Sequence, residues 1–299
     1  MNLKLINNLS MQKVNPKRKL FPEQSQHPPG IEKKMKPEPE YDNFSPGSNK
    51  LENKKCIVTG GDSGIGRAVS IAFAKEGADI AIIYLKAESI DAEFTAKIIR
   101  KKYLRECLLI PTDISKEKNC ISAIKKIRKK FKQIDVLVNN AAVQFPQKKI
   151  SAITTEQLTK TFSTNVFSMF WLIKAVLPHM KKGSSIINTS SVTAYRGSGG
   201  LLDYSATKGA VVTFTRSLAA NLVDEGIRVN GVAPGPIWTP LITSTFHNPK
   251  ITTYGSETPM KRPGQPVEVA PSFVFLASKD SQYMTGQFLH PNGGEIVNA

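Results

Sequence analysis

Seven short apolar runs alternate with helix-length amphipathic stretches, and this alternation constrains the 299-residue chain more than any other feature. The runs are residues 56–59 (CIVT), 80–84, 107–111, 134–138, 185–189, 227–232 and 287–289. Helical patterning lies between them, near 64–76, 88–102, 116–131, 155–181, 205–224 and 266–277. Near-continuous apolar strands require a sheet buried on both faces. Strands alternating with helices select right-handed crossovers and a parallel sheet. The expected fold is therefore α/β: one doubly wound domain over residues 51–299, a seven-stranded parallel sheet flanked by helices. A chain that is 40% hydrophobic has the material for such a core.

Residues 1–50 read differently. They carry Pro16, Pro22, Pro28, Pro29, Pro37, Pro39 and Pro46 among many Lys, Gln, Asn and Glu residues. Such a segment buries too little apolar area to offset its ordering entropy, so it is expected as an extended or disordered arm. Phe21, Ile31, Met35, Tyr41 and Phe44 are its apolar contacts, for docking on the body or on another subunit. Met1 and Met11 both stand as candidate starts.

The net charge is +17, and much of it sits in the arm and between Lys97 and Lys132. A nucleic-acid surface and the outer faces of two amphipathic helices both fit such a band. Tyr103 and Phe131 alone fall among these lysines, too few to form a row of stacking platforms, which favours the helix faces and no nucleic-acid partner. No apolar run reaches the roughly 18 residues that span a bilayer, so no membrane partner is expected. The N-terminus lacks a signal-peptide core, and the expected location is cytoplasmic. Cys56, Cys107 and Cys120 show no CxxC spacing and read as packed thiols, with no metal site.

The first apolar run enters Thr59-Gly60-Gly61-Asp62-Ser63-Gly64-Ile65-Gly66, and a helix follows at once. Strand, glycine turn and helix N-terminus form the setting of a dinucleotide pyrophosphate site, the Rossmann arrangement. Gly60 permits the turn, Gly64 admits the phosphate, and Gly66 lets the helix pack on the sheet. Free N–H groups and the helix dipole favour the anion. Ser63 and Ile65 belong to the same turn; Asp62 caps it or faces the ligand. The second run ends at Tyr84-Leu85-Lys86 with no acid at 83–86. An acid there would bind the 2′-hydroxyl of NAD, whereas Lys86 suits a 2′-phosphate. NADP is the expected cofactor, with NAD possible.

Tyr204 and Lys208 lie four apart, on one face of a helix, and Ser191 lies upstream. A free tyrosine has a pKa near 10, and a neighbouring ammonium favours the phenolate. The spacing is common by itself; its company gives it weight.

With these motifs in order the chain resembles the short-chain dehydrogenase/reductase family over residues 51–299. The likeness is carried by Thr59–Gly66, Asp113-Ile114, Asn139-Asn140-Ala141-Ala142, Asn165, Ser191, Tyr204, Lys208 and Pro234-Gly235-Pro236-Ile237-Trp238-Thr239. Within the family it is similar to bacterial general-stress and aldehyde-reductase-like oxidoreductases with a Pro-rich arm. The resemblance implies roles. Asp113 and Ile114 flank the adenine. Asn140 and Ala141 line the cofactor, and Asn139 steadies the central strand. Pro234 and Gly235 belong to the cofactor loop, in which Ile237 and Thr239 hold the nicotinamide amide and phosphates. Ser191 and Tyr204 contact the substrate oxygen, Lys208 holds the ribose, and Asn165 binds a relay water. Ala142 departs from the glycine usual at that position.

The resulting expectation is a hydride transfer between the dinucleotide and an aldehyde, ketone, sugar or polyol. Gln144, with Phe145, Arg196, Leu201, Trp238 and Phe246, is expected in the substrate wall, under a mobile lid at 240–262. His179 and His290 read as structural. A homotetramer is implied by the family. A dinucleotide-binding sensor without chemistry is the rival reading, and a tuned phenol has no use in it.

Overall fold

The computed structural model describes residues 18–297. Met11 and Pro16 lie outside these residues.

The chain forms β1 (Lys55–Thr59), α1 (Gly64–Lys75), β2 (Asp79–Tyr84), α2 (Ser89–Lys102), β3 (Cys107–Pro111), α3 (Glu117–Arg128) and β4 (Val136–Asn139). It continues with α4 (Thr155–Phe162), α5 (Ser168–Val176), β5 (Ser185–Thr189), α6 (Thr193–Arg196), α7 (Leu202–Leu222) and β6 (Arg228–Val232). Then follow α8 (Pro240–Thr245), α9 (Pro266–Ala277) and β7 (Phe288–Leu289). All seven strands pair in parallel, in the order β3-β2-β1-β4-β5-β6-β7. The strand order reverses between β1 and β4, where open sheets of this kind leave a crevice.

Continuous apolar strands explain the layering. Every residue of β2, β4 and β5 is buried. One face of the sheet packs against α1 and α9 through Val58, Ile80, Phe73 and Phe273. The other packs against α3, α5 and α7 through Ile57, Leu137, Leu172 and Val211. The lysines of α2 and α3 lie on the outer side; Lys97, Lys101, Lys125, Lys126 and Lys130 are exposed.

The helix expected at 155–181 is not one helix. A π-helical turn at Ser163–Phe167 separates α4 from α5, and a 3-10 turn at Leu177–His179 ends the unit. Pro178 lacks an amide hydrogen and suits that exit. No simple periodicity signals the π turn, because it adds one residue without changing composition.

The described part of the arm, 18–50, is extended apart from a 3-10 turn at Glu32–Lys34, and it lies along the body. Phe21 stacks on Trp238 with ring centroids 3.7 Å apart, and Met35 is buried beside Tyr204, Trp238 and Ile242. Asp42 pairs with Lys75 at 2.7 Å and Lys102 at 2.8 Å. Phe44 is the exception among the apolar contacts expected of the arm: it is exposed, with the Lys102 ammonium 4.2 Å from its ring.

Candidate functional site

The phosphate turn joins β1 to α1 with Gly60 and Gly64 at positive φ. A Cβ on Gly66 would sit 1.8 Å from the Gly60 carbonyl oxygen, so only glycine lets the helix approach the turn this closely. Asn140, just past β4, braces the turn: its side chain donates to Thr59 O at 3.1 Å and Gly60 O at 3.3 Å. Thr59 Oγ1 in return accepts from the amides of Asn140 and Ala141. Asn139 works one strand deeper, donating to Asn188 Oδ1 at 2.9 Å.

A cleft of about 660 Å³ opens above this turn, at the C-terminal ends of the strands. That lies in the range of small-molecule sites. Its floor is Gly60, Asp62, Ser63, Gly64 and Ile65. Tyr84, Asp113 and Ile114 wall one end. Asn140, Ala141, Pro234, Gly235, Ile237 and Thr239 continue the wall toward Ser191, Tyr204 and Lys208.

At that far end Ser191 follows β5, and Tyr204 is the third residue of α7, which starts at Leu202. The Ser191 hydroxyl lies near enough to the Tyr204 phenol to favour its ionised form. Lys208 lies one turn on, its ammonium 5.4 Å from the Tyr204 ring centre and donating to Thr189 O at 2.8 Å. Burial pushes the Tyr204 phenol up to about 12 against the pull of Ser191, and burial pulls Lys208 down to about 7. The chain alone thus holds the phenol protonated, the reverse of the lowering that the Tyr–Lys spacing suggested. Desolvation outweighs a partner that is itself partly neutral.

Asn165 is fully buried behind the cleft rather than in its wall. Its side chain accepts from Val143 N at 2.9 Å and donates to Val143 O at 2.9 Å and Thr207 Oγ1 at 3.1 Å. It sits in the π turn and ties the strand-β4 loop to α7. Asp203 has a similar effect: it accepts from Gln157 at 2.9 Å and Thr161 at 2.8 Å, fixing the start of α7 against α4. The only sequence signal for Asp203 is an acid in the first turn of a helix.

Trp238, expected in the substrate wall, and Lys86, expected at a 2′-phosphate, do not line the cleft. Trp238 is buried beneath Phe21, with its indole N–H donating to Pro37 O at 2.9 Å. Lys86 is exposed and does not line the cleft; Glu88, two residues on, does. The 3-10 turn Lys86–Glu88 swings the lysine outward and brings the carboxylate in, where it accepts from Leu85 N at 3.2 Å. Burial, with nearby Asp62, pushes Glu88 up to about 8. Gln144, Phe145, Arg196, Leu201 and Phe246 do line the cleft, and Gln144 donates to Thr245 Oγ1 at 3.1 Å. Tyr254 and Glu295 join them there; Glu295 pairs with Arg196 at 3.2 Å. His179 ends the 3-10 turn after α5, and His290 packs edge-on to Tyr195.

The residues fit a dinucleotide. Asp62 lines the cleft, and both oxygens of its buried carboxylate lack a hydrogen-bond partner that a ribose hydroxyl would supply. Lys208 uses one donor on Thr189 and retains others for a second ribose. Among the described residues no cluster of His, Cys, Asp and Glu is placed to hold a metal ion.

A family model described as enoyl-(acyl carrier protein) reductase matches residues 60–295. An uncharacterized oxidoreductase of Bacillus subtilis, YhxC, is 57% identical over 95% of this chain and 99% of its own. NADPH-dependent aldehyde reductase 1 of Arabidopsis thaliana is 52% identical over 92% of this chain and 98% of its own. A 3-ketoacyl-(acyl-carrier-protein) reductase of Brucella melitensis, solved with NADH, superposes with a TM-score of 0.74 at 30% identity. That likeness covers 82% of this chain and 98% of the other.

Proposed function

We propose, on the premise that the chain belongs to the short-chain dehydrogenase/reductase family and is an oxidoreductase, that it reduces a carbonyl or oxidises an alcohol at Ser191, Tyr204 and Lys208. The observation that carries the reading is the convergence of these three buried groups at one end of a cleft floored by the phosphate turn. The cofactor is NADP, with NAD accepted, in keeping with what the relatives' names state. Bound there, the nicotinamide supplies or takes the hydride.

The chain's own groups do the rest. Ser191 donates to the substrate oxygen and Tyr204 gives its proton to it in reduction. A phenol held protonated suits that direction. Lys208 in its ammonium form stabilises the phenolate left behind. Asn165 fixes the backbone on which this constellation stands. Gln144 with Arg196, Thr245 and Tyr254 makes a polar outer wall that suits hydroxylated aldehydes, ketones, sugars or polyols. A dinucleotide-linked absorbance screen over these classes tests the proposal; no turnover with any of them, despite tight dinucleotide binding, overturns it.

Glu88 is the residue proposed to set the choice of dinucleotide. With its carboxyl protonated at neutral pH it does not repel a 2′-phosphate. Its folded value is raised, so ionisation comes as pH climbs through about 8. The ratio of NADP to NAD affinity is therefore expected to fall between pH 7 and pH 9, by up to about tenfold per pH unit for one linked proton. Glu88→Gln removes that dependence. Titrations of both dinucleotides against the two chains across this range measure it.

We further propose a homotetramer in the cytoplasm. Phe167 and Phe170, each 44% exposed, supply apolar surface on the α5 side for subunit contact. Among the described residues no helix is long and apolar enough to cross a membrane. A mass measurement in solution reads the assembly.

A further inference from the structure

The arm reaches the phosphate turn itself. Pro28, Pro29 and Gly30 line the cleft next to Gly64, Thr239 and Pro240. A Cβ on Gly30 would lie 2.5 Å from the Pro240 carbonyl oxygen, so the arm backbone is seated directly on the start of α8. Two residues on, Glu32 is 2% exposed. One of its carboxylate oxygens accepts from the Gly64 amide. The other pairs with Arg67 Nη1 at 2.5 Å. Its own amide donates to Asp91 Oδ2 at 2.8 Å. Arg67 closes the circuit: Nε donates to Asp62 O at 2.9 Å, and Nη2 pairs with Asp91 Oδ1 at 2.9 Å. The arm's carboxylate is thus bonded, directly and through one arginine, to both ends of the Asp62–Gly64 segment that floors the cleft.

The attachment continues on either side. Gln26 N donates to Thr243 O at 2.8 Å, and Leu20 N donates to Thr252 O at 2.6 Å. Met35 then fills the space beside Tyr204, Trp238 and Ile242. The segment 240–262, expected from sequence as a free lid, is strapped by the arm.

We infer that the arm segment Pro28–Met35 is a working part of the dinucleotide site, with Glu32 as the residue that positions the phosphate turn. Arm docking and dinucleotide binding are then coupled, each strengthening the other by the same factor. The inference rests on the dinucleotide reading given above.

The test uses the full chain and NADPH as probe. Its fluorescence titration gives Kd for the wild type, Glu32→Gln and Glu32→Ala. Glu32→Ala is expected to raise Kd about tenfold, the size of one lost charge-assisted hydrogen bond. Glu32→Gln keeps an acceptor for Gly64 and falls between. KM for the dinucleotide rises with Kd, while kcat with saturating dinucleotide changes less than twofold. A second measurement needs no variant. Lys33 and Lys34 are exposed in the arm, and saturating NADPH is expected to slow tryptic cleavage there severalfold. Glu32→Ala abolishes the protection. An unchanged Kd in Glu32→Ala, or arm cleavage indifferent to NADPH in the wild type, overturns the inference while leaving the dinucleotide reading intact. A wild-type chain that binds neither NADPH nor NADH overturns both.

Discussion

Tyr204→Phe is expected to reduce kcat by about a thousandfold or more while leaving the dinucleotide Kd within about twofold. A positioned general acid contributes on the order of 10²–10⁴ in rate. The Ser191 hydroxyl lies near the Tyr204 phenol, but a serine cannot deliver a proton at neutral pH and regain it through Lys208. Phenylalanine keeps the ring that packs with Met35, Leu201 and Trp238, so the fold should hold. The hydroxyl removed is the one whose ionisation Ser191 favours. Stopped-flow hydride transfer with the best substrate of the screen, beside a fluorescence titration, separates the two effects. A variant retaining a tenth of wild-type kcat would remove Tyr204 from the proton step. Loss of dinucleotide affinity along with kcat would mean that the ring, not the proton, matters.

Arg67→Met should produce the largest loss of stability. The guanidinium is nearly fully buried and pairs with Glu32 and Asp91, which are each only 2% exposed at the side chain. Removing it leaves two buried carboxylates without their cation, a loss of about 3–5 kcal/mol for such pairs. For a domain of this size that corresponds to a fall in Tm on the order of 10 °C. The pH dependence has a definite sign. Burial already raises Glu32 to about 7 and Asp62 to about 6, so the folded chain holds protons that the unfolded chain releases. Stability from these groups is therefore lost as pH rises from about 4.5 through 7. In Arg67→Met, Glu32 and Asp62 take up protons at pH 5 and limit the damage, and do so less at pH 8. The difference in Tm between the variant and the wild type should be larger at pH 8. Calorimetry at the two values decides it; an equal drop at both means that the cluster does not titrate with the fold.

These two variants mark the ends of what was legible in the linear chain. Tyr204 could be singled out because its signal is local: Lys208 one helical turn away, after a strand that ends near Ser191. The phosphate turn was legible for the same reason. Gly60, Gly64 and Gly66 answer to steric demands within eight residues of chain. Arg67 gave no such signal, since an arginine in a first helical turn has many ordinary uses. Its partners are Glu32 and Asp91, far away in sequence, and only folding brings them together. Lys86 shows the converse case. It stands at the right distance from the glycines, but one 3-10 turn decides which of Lys86 and Glu88 faces the cleft, and composition cannot read that rotation.

The sequence by itself determined the parallel sheet, its doubly wound layers and the positions of the phosphate turn and the Ser191, Tyr204 and Lys208 group. Each follows from short-range periodicity or from fixed spacing within one or two elements, which the backbone's geometry converts directly into place. Only the tertiary structure decided that the arm is a strap, that Glu32 reaches Gly64, that Trp238 serves the arm rather than the substrate wall, and that Asn165 sits in a π turn behind the cleft. Those outcomes depend on desolvation and on contacts between distant segments. A proline-rich tract reads as disordered when its own apolar area is counted alone. It becomes ordered when a tryptophan face, a buried arginine and a free amide on the body offer what the tract lacks.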